Sequence, residues 1–290
     1  MKTKTHILVL VLIVLFSSCN NEEVSGPSGN VEYTQVDFDA AWSKSGRMIA
    51  YIHSDIDAEF TGLYVMDTSG NNKRQLVRGN VSSPDWSVND TAIVFDDAGT
   101  LSMVNTTSGL VRTFEPGPDS HTGKWNPLNN RIAYISNSDL YLSDPNGAGK
   151  MLIMTSCAWP DWSPDGRYLF FLRPSLGSSG TRNGDTLYRY DSQTGMKFIV
   201  NYFLDEGYRY NSHLSISEEK AYFSSVFSDV SAHVYDYHFD NYFIARIVNS
   251  LSYSPDFDPV SGRLIYTNRE RGDGRLWILE TNGSSRRLTY

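Results

Sequence analysis

The chain has 290 residues, of which 40% are hydrophobic and 20% are charged, so it is long enough to bury a large core. Its formal net charge is −8 and no cluster of Lys and Arg stands out, which argues against a nucleic-acid partner, because such partners bind basic surfaces. Thr, Tyr, Val, Ile and Phe dominate the apolar runs, and helical periodicity is almost absent. The composition therefore predicts an all-β protein.

Residues 1–18 are predicted to be a lipoprotein signal peptide. Two lysines precede an unbroken apolar run at 7–16, which is too short for a membrane span of roughly 20 residues but fits the centre of a secretory signal. Two serines follow, directly before Cys19. This arrangement resembles a bacterial lipobox, which implies that Cys19 is acylated and becomes the mature N-terminus. The alternative is ordinary signal cleavage beside an incidental cysteine.

Residues 19–36 are predicted to be a flexible tether, since 20–30 are polar, contain Gly, Ser and Pro, and lack apolar periodicity. Asn20 favours the outer membrane, because Asp at this place is associated with inner-membrane retention in some bacteria. Glu22 and Glu23 resemble the acidic export signal of surface lipoproteins in the Bacteroidetes group. We therefore expect an outer-membrane lipoprotein held to the membrane by its lipid alone, facing either the periplasm or the medium.

The second cysteine of the chain, Cys157, lies in an apolar stretch. If Cys19 is acylated, no disulfide can form, even in an oxidising compartment. We expect Cys157 to be a small buried residue rather than a nucleophile.

Six copies of one pattern fill residues 37–290. In each copy an anchor residue lies nine residues before an aromatic residue, while successive anchors are 37 to 52 residues apart. The anchor–aromatic pairs are Trp42–Tyr51, Trp86–Phe95, Trp125–Tyr134, Trp162–Phe171, Leu214–Phe223 and Phe257–Tyr266. A constant inner spacing with a variable outer spacing indicates one rigid unit joined by loops of different length.

Each copy contains four short strand-like blocks in about forty residues, which is typical of a β-propeller blade. The second block is apolar on both faces, as expected for a sheet packed between two neighbouring sheets. The sequence therefore predicts a six-bladed β-propeller of four-stranded antiparallel blades, with each repeat forming one blade. Residues 31–38 are a candidate for an additional outer strand on the sixth blade.

The stretch PDWSPDG, residues 160–166, predicts the hairpin between the first and second strands of a blade. Pro164 presets φ, the Asp165 carboxylate can bond the nearby backbone, and Gly166 can take a left-handed conformation. The Trp anchors are predicted to be wedges between blades, with a ligand-stacking surface as the alternative.

This repeat resembles that of TolB-type propellers, P-x-W-S-P-D-G-x-x-I-A-F followed by L-Y-x-x-D and R-x-L-T, over residues 39–290. The fifth copy departs from the pattern, because Leu214 replaces Trp there. Only about eighteen residues separate Cys19 from the first repeat, too few for the N-terminal partner domain of the translocation protein TolB. The resemblance thus implies the propeller fold but not the role of TolB in envelope translocation.

The residue before each anchor is predicted to line the propeller axis; these residues are Ala41, Asp85, Lys124, Asp161, His213 and Asp256. The resemblance to TolB-like propellers implies a cation in the channel. Carboxylate oxygens suit Ca²⁺, and the candidate ligands are Asp85, Asp161 and Asp256. The alternative is a solvated polar channel without a specific ligand.

A second candidate site is the aromatic stretch 201–212, NYFLDEGYRYNS, in which Tyr208, Arg209 and Tyr210 are candidates for sugar stacking or a protein hot spot. The alternative is that these rings pack in a small core of their own. Two long loops, 173–186 and 224–233, join second to third strands and are predicted on the opposite face or the rim.

The sequence lacks the G-x-S-x-G, H-E-x-x-H and Gly-rich phosphate-loop motifs. It therefore favours a non-catalytic, monomeric binding scaffold at the outer membrane, with an envelope protein or a glycan as partner. The alternative is a carbohydrate-active propeller resembling oligogalacturonate lyase, although the His-rich metal site of that family has no H-x-H counterpart here.

Overall fold

The structure, a computed structural model, describes residues 35–115, 119–176, 182–203, 210–226, 231–270 and 274–290. These residues form 24 β-strands and no helix, so the described part of the chain contains no helix able to cross a membrane. The predicted signal peptide, Cys19 and most of the predicted tether lie outside the described residues.

The strands form six antiparallel sheets, each built from four consecutive strands. The first three sheets contain β1 (Gln35–Trp42), β2 (Met48–Asp55), β3 (Gly62–Asp67), β4 (Arg74–Arg78), β5 (Val81–Trp86), β6 (Ala92–Asp97), β7 (Thr100–Asn105), β8 (Val111–Glu115), β9 (Ser120–Trp125), β10 (Ile132–Ser136), β11 (Asp139–Ser143) and β12 (Met151–Met154). The last three contain β13 (Ala158–Trp162), β14 (Tyr168–Leu176), β15 (Arg182–Asp191), β16 (Lys197–Phe203), β17 (Tyr210–Ile216), β18 (Lys220–Val226), β19 (Ala232–His238), β20 (Ile244–Arg246), β21 (Ser252–Asp258), β22 (Arg263–Asn268), β23 (Arg275–Leu279) and β24 (Ser285–Arg287).

The six sheets are the blades of a six-bladed β-propeller, which confirms the predicted fold. The first strands of neighbouring blades contact one another around the whole ring, and β21 of blade six closes onto β1 of blade one. Each blade comes from one sequence repeat. The proposed extra strand of blade six is wrong for residues 35–38, because Gln35–Trp42 is the innermost strand of blade one; residues 31–34 lie outside the described residues.

The cores lie between blades, because each blade buries both faces of its second strand. Ile49, Ala50, Tyr51 and Ile52 are at most 2% exposed, and they divide between the cores on either side of blade one. The four Trp anchors are only 2 to 4% exposed and lie in these inter-blade cores, which confirms that they are packing wedges.

The hairpin of the PDWSPDG stretch has the predicted geometry. The Ser163 N–H donates to the Tyr168 carbonyl and the Gly166 N–H to the Ser163 carbonyl, both at 2.8 Å. The Asp165 carboxylate accepts from the Ser163 hydroxyl and from the Arg167 N–H. Gly166 has a φ of +62°, the left-handed conformation that glycine takes at least cost.

The fifth blade is two residues out of the predicted register. In the first four blades the N–H after the anchor bonds a carbonyl five residues on, as in Ser43 to Met48, whereas Ser217 bonds Lys220, three residues on. The blade-five hairpin is therefore two residues shorter. As a result Ile216, and not Leu214, occupies the anchor position, although both are buried.

Where the structure describes them, the predicted loops 173–186 and 224–233 are largely strand. Residues 173–176 and 182–186 extend the β14–β15 pair, which has a continuous register from Tyr168–Asp191 to Ser175–Gly184. The β18–β19 pair extends in the same way, to Val226 and Ala232. Antiparallel strand pairing thus continues beyond the point at which the sequence suggests a loop.

Cys157 is 3% exposed and packs in the core between blades three and four. Burial raises the pKa of its thiol to about 12, which keeps the thiol protonated at neutral pH. The structure therefore agrees with an inert, space-filling cysteine.

Candidate functional site

The first strand of every blade contains a β-bulge, and the side chain two positions after the bulged residue points to the propeller axis. The bulged residue has a left-handed φ between 47° and 53° in all six blades: Asp39, Ser83, Thr122, Trp159, His213 and Ser254. Two positions later lies a set that we call the axial residues: Ala41, Asp85, Lys124, Asp161, Ser215 and Asp256. Lys124 of blade three lies within 4.0 Å of carboxylates from blades four and six, which is possible only at the centre of the ring.

Four of these axial side chains link one blade to the next. Each accepts a hydrogen bond from the backbone N–H of the following blade's anchor, at 2.7 or 2.8 Å. The acceptor–donor pairs are Asp256–Trp42, Asp85–Trp125, Asp161–Ile216 and Ser215–Phe257.

The two remaining junctions use the indole instead, because Ala41 and Lys124 offer no side-chain acceptor. The Trp86 indole N–H donates to the carbonyl of Ala41, and the Trp162 indole N–H donates to the carbonyl of Lys124, both at 3.1 Å. Every junction of the ring thus has a hydrogen bond between an axial residue and the next anchor.

The axis is also filled by charged side chains. The Lys124 ammonium lies 4.0 Å from an oxygen of Asp161 and 4.0 Å from an oxygen of Asp256. The Lys44 ammonium reaches from the blade-one hairpin to both oxygens of Asp85, at 3.0 and 3.2 Å. The three predicted carboxylates are therefore occupied by backbone N–H groups and lysines.

Burial changes the proton affinities of this cluster. Desolvation raises the pKa of Asp256 to about 7 and that of Asp161 to about 6, although Lys124 opposes both shifts. Burial alone would lower the pKa of Lys124, but Asp161, Asp85 and Asp256 together hold it above its usual value. The ammonium stays charged at neutral pH, whereas Asp256 keeps its proton to a higher pH than an exposed carboxyl does.

These axial residues do not fit the predicted Ca²⁺ site. Ca²⁺ takes six to eight oxygen ligands at about 2.3–2.6 Å. Here the Lys124 ammonium already lies between Asp161 and Asp256, and Asp85 turns to Lys44. Across the described residues, no group of three or more His, Cys, Asp and Glu side chains has an arrangement that could hold a metal ion.

His213 lies at the mouth of the channel and not in the axial layer. Its ring stacks on Trp159 with centroids 4.0 Å apart, and its Nε2 is 3.7 Å from the Asp39 carboxylate. Burial lowers the pKa of His213. The cavity at this mouth has a volume of about 40 Å³, enough for a few waters and too small for a sugar or a peptide side chain of any size.

The second predicted site falls mostly outside the described residues. Tyr208 and Arg209 lie outside them, and for Tyr210 only the backbone, at the start of β17, is described. Nearby, Phe203 is 2% exposed and packs against Phe223, in line with the packing alternative for that ring.

A larger concavity, which the sequence did not indicate, lies between blades four and five. We call it the blade 4–5 groove; its volume is about 510 Å³. Its main lining side chains are Tyr168, Phe170, Arg189 and Phe198 of blade four and Phe239 and Tyr242 of blade five. The sequence feature that could have predicted this groove is the outer strand KFIVNYF (197–203), because the outer strands of the other blades are shorter and mostly more polar.

The lining of the groove combines exposed apolar rings with one guanidinium. Phe198 is 38% and Tyr242 is 68% exposed. The Arg189 guanidinium lies 4.5 Å from the centroid of the Tyr168 ring and 5.5 Å from that of Phe198. Phe170 and Phe239 stack with centroids 5.1 Å apart and form the floor.

No protein-family model and no curated protein matches the chain. Among solved structures, TolB from Acinetobacter baumannii is similar at a TM-score of 0.65 and 17% identity, over 86% of this chain and 62% of that one. The chain thus spans less than two thirds of that TolB. A putative TolB from Agrobacterium tumefaciens gives 0.63 at 15% identity, over 75% and 84%.

An oligogalacturonate lyase in complex with manganese is also similar, with a TM-score of 0.58 and 14% identity, over 83% of this chain and 76% of that one. Sequence identities this low support a shared fold and nothing further. The described chain therefore has a TolB-like six-bladed β-propeller fold.

Proposed function

We propose that the protein is a non-catalytic scaffold of the cell envelope that binds a protein partner on the rim of its propeller. The observation that carries this proposal is the contrast between the axis and the rim. The axial residues are occupied by contacts with one another and with the backbone, whereas the blade 4–5 groove is open and has exposed aromatic rings. Exposed apolar concavities of this kind mark interaction sites.

Protein is favoured over glycan as the partner because of what the groove offers. Its floor is apolar, and two nearby hydroxyls are already used within the chain: Ser163 donates to Asp165, and Ser217 bonds the Lys220 backbone. A sugar needs many hydrogen-bonding groups to replace its water shell, whereas aromatic rings and one Arg are typical of a protein hot spot.

An envelope location is supported by the leader. Residues 1–18 resemble a lipoprotein signal, and the TolB-like fold is consistent with the envelope. In the native host we expect a Cys19→Ala variant to leave the membrane fraction, while a Ser18→Ala variant, which keeps a small residue before Cys19, stays in it. A Cys19→Ala variant that still sediments with membranes would contradict lipid attachment.

The scaffold is tested by photo-crosslinking of the full-length chain in living cells. A benzophenone amino acid replaces Phe198 in the groove or, as control, Leu152 on the exposed outer strand of blade three. We expect a discrete cross-linked protein from position 198 and none from position 152. Equal labelling from both positions, or from neither, would contradict a partner on this rim.

The carbohydrate-active alternative is tested in parallel. Described histidines are spread over three blades: His53, His121, His213, His233 and His238. We expect no rise in ultraviolet absorbance from polygalacturonate, with or without Mn²⁺. A metal-dependent rise would replace the scaffold proposal with lyase activity.

A further inference from the structure

The outer strand of blade four differs from the other five outer strands. β16 has seven residues, whereas the others have three to five. Its sequence carries a single charge, and its Phe198, Ile199 and Tyr202 are 38%, 45% and 56% exposed. Natural edge strands are usually short or charged, and a long apolar edge is a template for another strand. β16 has a β-bulge near Ile199. Three of the shorter outer strands also contain a bulge, so the bulge does not distinguish β16 from them.

The edge of β16 borders the blade 4–5 groove. Arg189 is paired with Phe198 in the β15–β16 register and with Phe170 in the β14–β15 register, so these three side chains share one face of blade four. Side chains of a strand alternate between the two faces of its sheet. A strand added to β16 would therefore place every second side chain over the groove.

Arg189 supplies the charge that selects the added strand. Its Nε is buried and has no hydrogen-bond partner, and no carboxylate of the described residues forms an ion pair with it. The Nε of Arg167, which also contacts the Tyr168 ring, is likewise buried without a partner, but Arg167 pairs through Nη2 with Asp191 at 2.8 Å, so its charge is already matched. A buried donor without a partner is unfavourable, and a guanidinium matches a carboxylate in geometry and charge.

The acidic rim limits how much negative charge the ligand can carry. Asp165 and Glu218 are exposed at the groove, close to the blade-four and blade-five hairpins. They would repel a polyanion such as a polyuronate, because like charges across an interface oppose association. A single carboxylate on an otherwise apolar chain meets much less of this repulsion and can still pair with Arg189.

We propose that an extended segment of the partner protein adds to blade four as a fifth strand, pairing with β16 and placing one Asp or Glu side chain against Arg189. This inference rests on the proposed scaffold function and specifies the chemistry of its ligand. The backbone pairing supplies affinity, and the groove supplies specificity through alternate side chains.

The probe is a phage-displayed library of random ten-residue peptides, selected on the full-length chain in detergent. We expect enriched sequences with one acidic residue flanked by alternating apolar residues. The best peptide is then synthesised with Glu or with Gln at the acidic position. Wild-type protein should bind the Glu form about ten-fold more tightly than the Gln form, because only the Glu form pairs with the guanidinium.

Two variants and one matched control locate the interaction. Arg189→Gln should reduce the Glu-to-Gln preference to about one. Ile199→Lys should weaken both peptide forms about ten-fold or more, because an edge Lys opposes strand addition. Leu152→Lys, on the exposed edge of blade three, should change neither. Circular dichroism and melting temperature confirm that each variant folds.

Peptides without an acidic position, or binding that is indifferent to both variants, would overturn the inference. If no selected peptide binds while position 198 still cross-links a protein in cells, strand addition is wrong and the scaffold proposal stands. If no selected peptide binds and position 198 cross-links no protein, both the strand-addition proposal and the scaffold proposal are wrong. A dimer of the wild-type chain that Ile199→Lys dissociates would identify a second copy as the occupant and overturn the peptide proposal.

Discussion

Asp256, Asp85 and Asp161 combine two roles at the axis of the propeller. One oxygen of each accepts the N–H of the next blade's anchor, which lies on the innermost strand and points away from the single strand that this strand pairs with. The same carboxylates face the ammonium groups of Lys124 and Lys44. Blade linkage and pairing with the two lysines therefore account for the charge of these axial residues.

Removing one such acceptor should destabilise the whole ring. Ser215→Ala leaves the Phe257 N–H without its 2.8 Å partner and changes no charge, so it isolates the linkage. We expect the free energy of unfolding to fall by about 1–3 kcal/mol, the cost of an orphaned buried donor. Urea denaturation measures it. Thr107→Ala on an exposed turn is the control, and an equal small loss in both variants would count against the linkage.

The protonation of Asp256 predicts a particular pH dependence. Its pKa in the folded state is about 7, above the ordinary value of 3.8, so between about pH 4 and 7 the folded state holds a proton that the unfolded state releases. The free energy of unfolding should therefore fall as the pH rises through this window, by on the order of 2–4 kcal/mol. Deprotonation of Asp161 lowers the free energy of unfolding in the same way, up to about pH 6.

Asp256→Asn should flatten this profile, because its amide keeps an oxygen for the Trp42 N–H but no longer titrates. Asp67 and Asp191 do not interfere, since their pKa values of about 2 confine their effect to pH below about 4. Denaturation at pH 4.5 and 7.5 checks the prediction. An unchanged pH difference in the variant would show that Asp256 is ionised throughout.

Among the structural elements, the hairpins between first and second strands were the ones best predicted from the sequence. The fixed interval between anchor and aromatic follows from a five-residue hairpin closing two strands in constant register, so four Trp copies could be aligned correctly. In the fifth copy the same interval joins Leu214 to Phe223 by coincidence, because a shorter hairpin shifts the anchor to Ile216. Both residues are apolar and buried, so composition alone could not separate them.

Gly166 should be the least replaceable glycine of these hairpins. A Cβ there would lie 2.6 Å from Oδ1 of Asn126, which is held by its bond from Nδ2 to the Gly166 carbonyl. We expect Gly166→Ala to lower the free energy of unfolding by about 2–4 kcal/mol, from positive φ and the clash together. Gly109→Ala, with similar φ and open space, should cost about 1 kcal/mol. Equal losses would mean that φ alone matters.

For the molecule as a whole, the sequence was sufficient for the number of blades but not for the groove. Blade count depends on a repeat that lies along the chain. The blade 4–5 groove depends on Arg189, Phe198 and Phe239, which come together only after two blades pack. The charge balance of the axis is equally non-local, because Lys124 meets carboxylates from blades four and six.

Ring closure between blades six and one has no shared strand, since each blade comes entirely from its own repeat. This junction is held by side-chain packing and a few hydrogen bonds, among them Trp42 N–H to Asp256 and Asp37 N–H to the Gly274 carbonyl at 3.0 Å. At the other five junctions the chain itself passes from blade to blade and limits how far they can separate. Local opening should therefore begin between blades six and one.

A pair of equivalent core truncations tests this. Ile278 on β23 packs in the core between blades six and one, and Leu142 on β11 packs between blades three and four; both are at most 1% exposed. Ile278→Ala should raise the hydrogen-exchange rates of backbone amides in β1, β2 and β22 well above those in the rest of the ring, because it loosens the junction that no connecting segment restrains. Leu142→Ala should lower protection more evenly. Local acceleration of the same size around both sites would mean that the connecting segments contribute nothing to holding neighbouring blades together.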